Sequence, residues 1–261
     1  MNRREFAGLV AAASVSRRAS SAATPDASFR ALQSRPVTIG MLMFERMDQI
    51  DFTGPFSVLS RLPESSLEII GLEAGPVRDH KGLVFTPAVT LANAREPDVL
   101  VVPGGPGQQD LMRHRPLLDR LSAQLNSGRV LFSVCTGALL CGAAGALRNR
   151  KATTHWASFE LLPLFGATAV EQRVVVDRNL VSAAGITAGI DGALVLASLL
   201  RGDAAAQRIQ LDIQYAPQPP FQSGDPRTAP RDVVETVRSS YRTLFEARRK
   251  TAQAFAASDG A

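Results

Sequence analysis

Val130-Leu131-Phe132-Ser133-Val134-Cys135-Thr136-Gly137-Ala138 joins two unlike patterns without a spacer. Val130 to Val134 is a short apolar run with β-branched and aromatic residues, the signature of a buried parallel strand. From Leu139 to Gly145 the chain turns to small and apolar residues at helical spacing. A strand that feeds a helix through one sharp turn lifts a single side chain clear of the sheet, and small neighbours let the backbone bend tightly. Here that side chain is Cys135. Its thiol is expected to face the N–H groups and positive dipole end of the following helix, which favour thiolate over thiol.

A free cysteine is also a small hydrophobe that often fills a core. Cys141, inside the apolar helix run and away from any turn signal, is read that way. Cys135 is read as the reactive one.

Working outward, the chain alternates strand and helix patterns on both sides of this turn. Strands are expected at Val37–Phe44, Leu67–Leu72 and Asp98–Val102, and two more around a turn at Asp177-Arg178-Asn179. Helices are expected from Pro55 to Leu62, from Gln108 to Asn126, near Gly189–Leu200 and near Ala204–Gln214. Such alternation predicts one α/β domain over residues 36–230, doubly wound, with a mostly parallel central sheet and helices on both faces. The proline-rich stretch Ala216–Pro226 reads as an extended arm or surface loop, ahead of a polar terminal helix at about Arg231–Arg249 in an extension of residues 231–261.

Composition narrows the functional classes. The 261 residues carry a formal net charge of +5, but residues 1–35 alone hold six arginines against Glu5 and Asp26. The body is therefore almost neutral and offers no footprint for a polyphosphate, so nucleic acid is not an expected partner. Two cysteines form no disulfide framework, and His80, His114 and His155 are scattered, so neither a metal centre nor a cofactor is predicted. Asn2-Arg3-Arg4-Glu5-Phe6 and the apolar stretch from Ala7 to Val15 resemble a twin-arginine export leader, with Ser21-Ala22-Ala23 as a cleavage site. The alternative is an unstructured tail on a cytoplasmic protein. Either way, the stretch is too short to span a bilayer.

In open parallel sheets ligands bind beyond the carboxyl ends of the strands. Three loops should meet there. One carries Asp48 and Asp51, in Ile50-Asp51-Phe52-Thr53-Gly54-Pro55; the next is Pro103-Gly104-Gly105-Pro106-Gly107; the third is the Cys135 turn. The glycine loop has neither phosphate-loop nor dinucleotide spacing, but Gly104 and Gly105 could bring N–H groups to a developing anion. Asp51, between apolar residues, is either a helix-start acid or a partly buried proton carrier beside the thiol. Asp48, with polar flanks, is expected to face water. His155 in Thr153-Thr154-His155-Trp156 is read as a packed residue behind the site, or one that orients a group within it.

Taken together, Ile50–Pro55, Val101–Gly107 and Ser133–Ala138 resemble the ThiJ/PfpI superfamily. Lys151-Ala152-Thr153-Thr154-His155-Trp156, Gly185–Asp191 and Gln214–Phe221 are similar to its isonitrile hydratase family. The resemblance runs from about Val37 to Pro230. It implies a flavodoxin-like fold, a homodimer, and a nucleophile-elbow cysteine at Cys135 with Asp51 as its acidic partner and Thr136 beside it. It further implies a cofactor-free lyase that hydrates a small isonitrile to an N-substituted formamide through a thioimidate on Cys135. Gly104, Gly105 and Gly137 would then bind substrate or developing charge. Two residues depart from the family pattern, Phe52 and Ala184, and both are expected near the pocket. Thr136 in place of a histidine argues against peptide or glutamine hydrolysis. Regulators of the superfamily carry similar Val-Cys-Thr-Gly and Thr-Thr-His-Trp stretches, so a non-catalytic sensor is the alternative. Such regulators need an appended DNA-binding module, for which one terminal helix leaves no room. Oxidation sensing at Cys135 is a third possibility.

Overall fold

A computed structural model describes residues 26–259. The twin-arginine-like motif, its apolar stretch and Ser21-Ala22-Ala23 lie outside the described residues. The chain opens with α1 (Ala27–Leu32), β1 (Val37–Met43), α2 (Gln49–Leu59) and β2 (Ser65–Gly71). A small excursion follows as β3 (Val77–Arg78) and β4 (Val84–Phe85), then β5 (Val89–Thr90), β6 (Val99–Val102), α3 (Gln108–Leu111) and α4 (Arg115–Asn126). Next come β7 (Val130–Val134), α5 (Gly137–Ala143), β8 (Lys151–Ala152), a 3-10 segment (Trp156–Phe165) and β9 (Thr168–Ala169). The chain closes with β10 (Val174–Asp177), β11 (Leu180–Ala183), α6 (Ala188–Arg201), α7 (Asp203–Asp212) and α8 (Arg231–Asp259).

The central sheet runs β10-β11-β7-β6-β1-β2-β5. Only the β10–β11 pair in it is antiparallel. Every residue of β6 and β7 is buried, as the unbroken apolar runs require of strands covered on both faces. Helices α1, α2, α6 and α7 pack together in one layer, and α3, α4, α5, the 3-10 segment and α8 in the other. This is the doubly wound α/β architecture expected from the alternation.

Several boundaries differ from the sequence reading. Residues 27–32 belong to the body rather than to a leader or tail: Phe29 and Leu32 are buried in the core, and α1 packs on α6. The helix placed at Pro55 starts at Gln49 instead. Asp48 caps it in extended conformation, its side chain accepting from the Ile50 N–H at 2.9 Å, and Pro55 is carried inside. The helix expected over Gln108–Asn126 breaks after Leu111. His114 leaves helical geometry and accepts from the Leu117 N–H at 3.2 Å, with Pro116 in the first turn of α4. In addition, the terminal helix extends beyond Arg249 to Asp259, and its second half packs on α3 and the 3-10 segment.

Because β1, β6 and β7 are adjacent and parallel, their carboxyl ends share one edge of the sheet. The chain leaves that edge at Phe44, Pro103 and Cys135.

Candidate active site

Cys135 follows β7 with φ of 55°, in the left-handed region that costs a non-glycine residue about 1–3 kcal/mol. The neighbours hold it there. Its N–H donates to the Ala183 carbonyl of β11 at 3.0 Å, and its carbonyl accepts from the Thr154 hydroxyl at 2.7 Å. With both main-chain groups committed, the side chain leaves the sheet and lines a pocket, where it is 5 % exposed.

Asp51, in the first turn of α2, is 0 % exposed. Its Oδ2 accepts the Gly104 N–H at 2.9 Å. Its Oδ1 has no partner of ordinary hydrogen-bond geometry, and the Cys135 thiol is the further polar group that bears on the carboxyl. Burial, followed by repulsion from Asp48, holds the Asp51 carboxyl well above the usual carboxylate range; the Gly104 N–H and the Cys135 thiol pull weakly the other way.

The thiol does not follow the sequence expectation of a favoured thiolate. Burial and then the Asp51 carboxylate push Cys135 well above the ordinary thiol range, outweighing the Thr136 N–H and the Arg248 guanidinium that draw it down. Desolvation beats the helix end here because the sulfur sits beneath the protein surface. The two groups are coupled, so a negative charge on Asp51 disfavours the thiolate at Cys135. Cys141 is fully buried inside α5, and burial alone raises its thiol to about 12, which fits an inert core residue.

The glycine loop is built for contact with the Cys135 turn. A Cβ on Gly104 would lie 2.5 Å from the Thr136 nitrogen, and one on Gly137 would lie 2.2 Å from the Val102 carbonyl oxygen. Gly105 has φ of +119°, where a side chain would also strike the Asp48 nitrogen at 2.4 Å. The N–H groups of Gly104 and Gly105 are already donated, to Asp51 and to the Thr136 hydroxyl (3.1 Å) respectively, rather than left open for an oxyanion. The Thr136 N–H instead faces the Cys135 sulfur.

Thr136 and His155 also line the pocket, whose volume is about 230 Å³. His155 accepts the Ala157 N–H through Nδ1 at 3.3 Å and meets Tyr241 edge-on, with ring centroids 5.5 Å apart. Burial, with Arg248 nearby, lowers its pKa to about 4, so the ring is neutral and carries its proton on Nε2. Asp48 is not the water-facing residue expected: it is 9 % exposed, and its cap places it in the pocket wall. Phe52 lies outside the lining, stacked on Phe56 and tilted against Phe85, and Ala184 is likewise outside it; Ile186 is an apolar residue of the lining.

Several lining residues escaped the sequence reading. His80 and Lys81 arrive from the β3–β4 turn, and Ser240, Tyr241, Leu244 and Arg248 from one face of α8. Arg248 is 4 % exposed. It donates to Gln108 Oε1 (3.0 Å), Ser158 Oγ (3.2 Å), the Gly105 carbonyl (3.0 Å) and Thr136 Oγ1 (3.3 Å). The only hint in sequence was the helical spacing of Tyr241, Leu244 and Arg248. Among the described residues no cluster of His, Cys, Asp or Glu could hold a metal ion, and no helix is long and apolar enough to cross a membrane.

Comparison with known proteins gives this geometry a context. Residues 37–199 match the DJ-1/PfpI family. An isonitrile hydratase from Pseudomonas putida is 46% identical over 200 residues, covering 77% of this chain and 88% of that protein. The HTH-type transcriptional regulator GbdR from Pseudomonas aeruginosa is 30% identical over 164 residues, which span 60% of this chain and 44% of the regulator. A crystal structure of a ThiJ/PfpI family protein from Pseudomonas syringae superposes with a TM-score of 0.81 at 32% identity, covering 89% of this chain and 98% of that one.

Proposed function

The chain belongs to the DJ-1/PfpI family, and within it we propose a cysteine-dependent, cofactor-free lyase that hydrates small isonitriles to N-substituted formamides. The observation that carries this reading is the buried Cys135–Asp51 pair, with Cys135 at a strained turn and lining a small pocket and Asp51 buried behind it. The 46% identity to an isonitrile hydratase over most of both chains supports the choice of substrate class.

The terminal carbon of an isonitrile, R–N≡C, accepts a soft sulfur nucleophile. Asp51 takes the thiol proton as sulfur attacks, then delivers it to the same carbon. One S–C bond and one C–H bond form and the S–H bond breaks, leaving the thioimidate R–N=CH–S–Cys135. Water next adds at that carbon and a proton moves to nitrogen. As the adduct collapses to the formamide, the C–S bond breaks and Asp51 takes the adduct's hydroxyl proton and returns it to the sulfur. A carboxyl held above its usual range suits both roles near neutral pH, because it can hold a proton and release it. Splitting one hydration into two additions is what the covalent step contributes. Thr136 lines the pocket, where its hydroxyl hydrogen-bonds substrate or water, and its N–H steadies the sulfur as charge develops. Ile186, Leu244 and the Tyr241 ring give a wall suited to a small uncharged R group.

The test is product analysis with cyclohexyl isocyanide. Formamide is expected from the native protein and none from Cys135→Ala; retained turnover in that variant would remove the covalent step. The likeness to GbdR favours a second reading, a ligand sensor. Saturable one-to-one binding of isonitriles without product would establish it instead. A homodimer is the proposed assembly, with the exposed Leu211 ahead of the proline-rich arm and Phe221 within it as candidate contacts; light scattering of the purified protein reads it directly.

A further inference from the structure

We propose that Arg248, on α8, is a positioning residue for the Cys135–Asp51 chemistry: its guanidinium orients the Thr136 hydroxyl toward substrate and holds a buried positive charge against the elbow. Its turnover arm rests on the reaction proposed above; its thiol-reactivity arm does not.

The geometry is unusual for a structural arginine. A buried charge is normally paired with an opposite one, since desolvation is otherwise too costly. Arg248 is 4 % exposed, yet its hydrogen-bond acceptors are all neutral: the Gln108 amide, the Ser158 and Thr136 hydroxyls and the Gly105 carbonyl. It forms no ion pair among the described residues. The neighbouring group that can complement it is Cys135, which lines the same pocket: a thiolate there and the guanidinium stabilise each other.

The second consequence concerns Thr136. A hydroxyl has two acceptor sites and one proton. Thr136 Oγ1 accepts the Gly105 N–H at 3.1 Å and the Arg248 Nη2–H at 3.3 Å. Both acceptor sites are filled, so the hydroxyl proton is left to donate. Its protein acceptor, the Gly105 carbonyl, lies at 3.5 Å, the longest bond of this set. A substrate atom beside Cys135 can take that proton at little cost.

The ionisable groups around this cluster come from several elements. Asp51 and Asp48 belong to α2 and its cap, and Cys135 to the elbow. His155 precedes the 3-10 segment, Tyr241 lies on α8 itself, and His80 and Lys81 belong to the β3–β4 turn. The elements that grip the guanidinium, α3 and the 3-10 segment, present neutral groups to it.

The test compares two variants of the full chain by the pH dependence of Cys135 alkylation with iodoacetamide, located by peptide mass spectrometry. Arg248→Gln removes the charge, and the alkylation midpoint is expected to rise by about one pH unit or more. An unmoved midpoint in folded Arg248→Gln would reduce Arg248 to a strut and overturn the proposal. Arg248→Lys keeps the charge but loses the fork. Its midpoint should stay at the wild-type value while kcat/KM for cyclohexyl isocyanide falls about tenfold or more, because a point charge cannot hold Thr136 and Gly105 together. Should the glutamine variant unfold, this split decides alone: midpoint and kcat/KM both retained, or both lost, contradict the proposal. If the native protein makes no formamide yet Arg248→Gln moves the midpoint, the reaction is wrong and the role of the charge stands.

Discussion

At Asp51 the demands of folding and chemistry conflict. A carboxyl with 0 % exposure and one main-chain donor is held above its ordinary value, so the folded state keeps its proton longer than the unfolded chain does. Stability therefore falls as pH rises from 3.8 through the folded pKa, and stays reduced above it. Asp51→Asn keeps an acceptor for the Gly104 N–H but never ionises. Its melting temperature is expected to exceed the wild-type value at neutral pH, with no gain below pH 3.8, while formamide production is lost. Calorimetry at the two pH values, alongside turnover, checks both halves. Cys135 and Asp51 were both legible in sequence, because a strand-to-helix junction and an acid between apolar residues are local signals. Their titration was not. It depends on burial by residues remote in the chain, which reversed the thiolate expected from the helix end alone.

At the scale of elements, the cap of the 3-10 segment is a buried histidine whose titration bears on stability. His155 terminates the approach from β8 and accepts the Ala157 N–H, in a place where burial and Arg248 lower its pKa from 6.5 to about 4. The unfolded chain protonates first, so stability drains away as pH falls from 6.5 to about 4 and then levels off. The drop amounts to about 3 kcal/mol. Asn is itself a good cap, so His155→Asn should keep the segment and flatten this acid slope in urea denaturation at stepped pH. Strands were the easiest elements to read, since the apolar runs of β6 and β7 have no other explanation. Helix ends were harder. Pro55 looked like a beginning because proline favours first turns, whereas the cap lay earlier, at Asp48. α8 looked merely polar, since its working face amounts to Tyr241, Leu244 and Arg248 in a long charged helix. Nothing in sequence says that α8 lies against Gly105.

For the whole molecule, the question is where the folded body starts and what closes it. Phe29 is 0 % exposed and joins the core, so Phe29→Ala should cost about 3–5 kcal/mol. A chain beginning at Arg35 should melt well below one beginning at Thr24, because the first lacks α1 and the second keeps it; thermal unfolding of the pair reads this out. A cut at Ser21-Ala22-Ala23 would leave α1 whole, since it falls before Ala27. At the other end, the stretch between α7 and α8 forms no helix or strand and is largely exposed, whereas α8 is anchored by Arg248, Thr251 and Ala252. Covalent continuity and spatial attachment are thus separate there. A protease that severs the proline-rich arm would cut the chain without dislodging the pocket wall, so scission and inactivation become distinct events, the second governed by how slowly the freed helix dissociates.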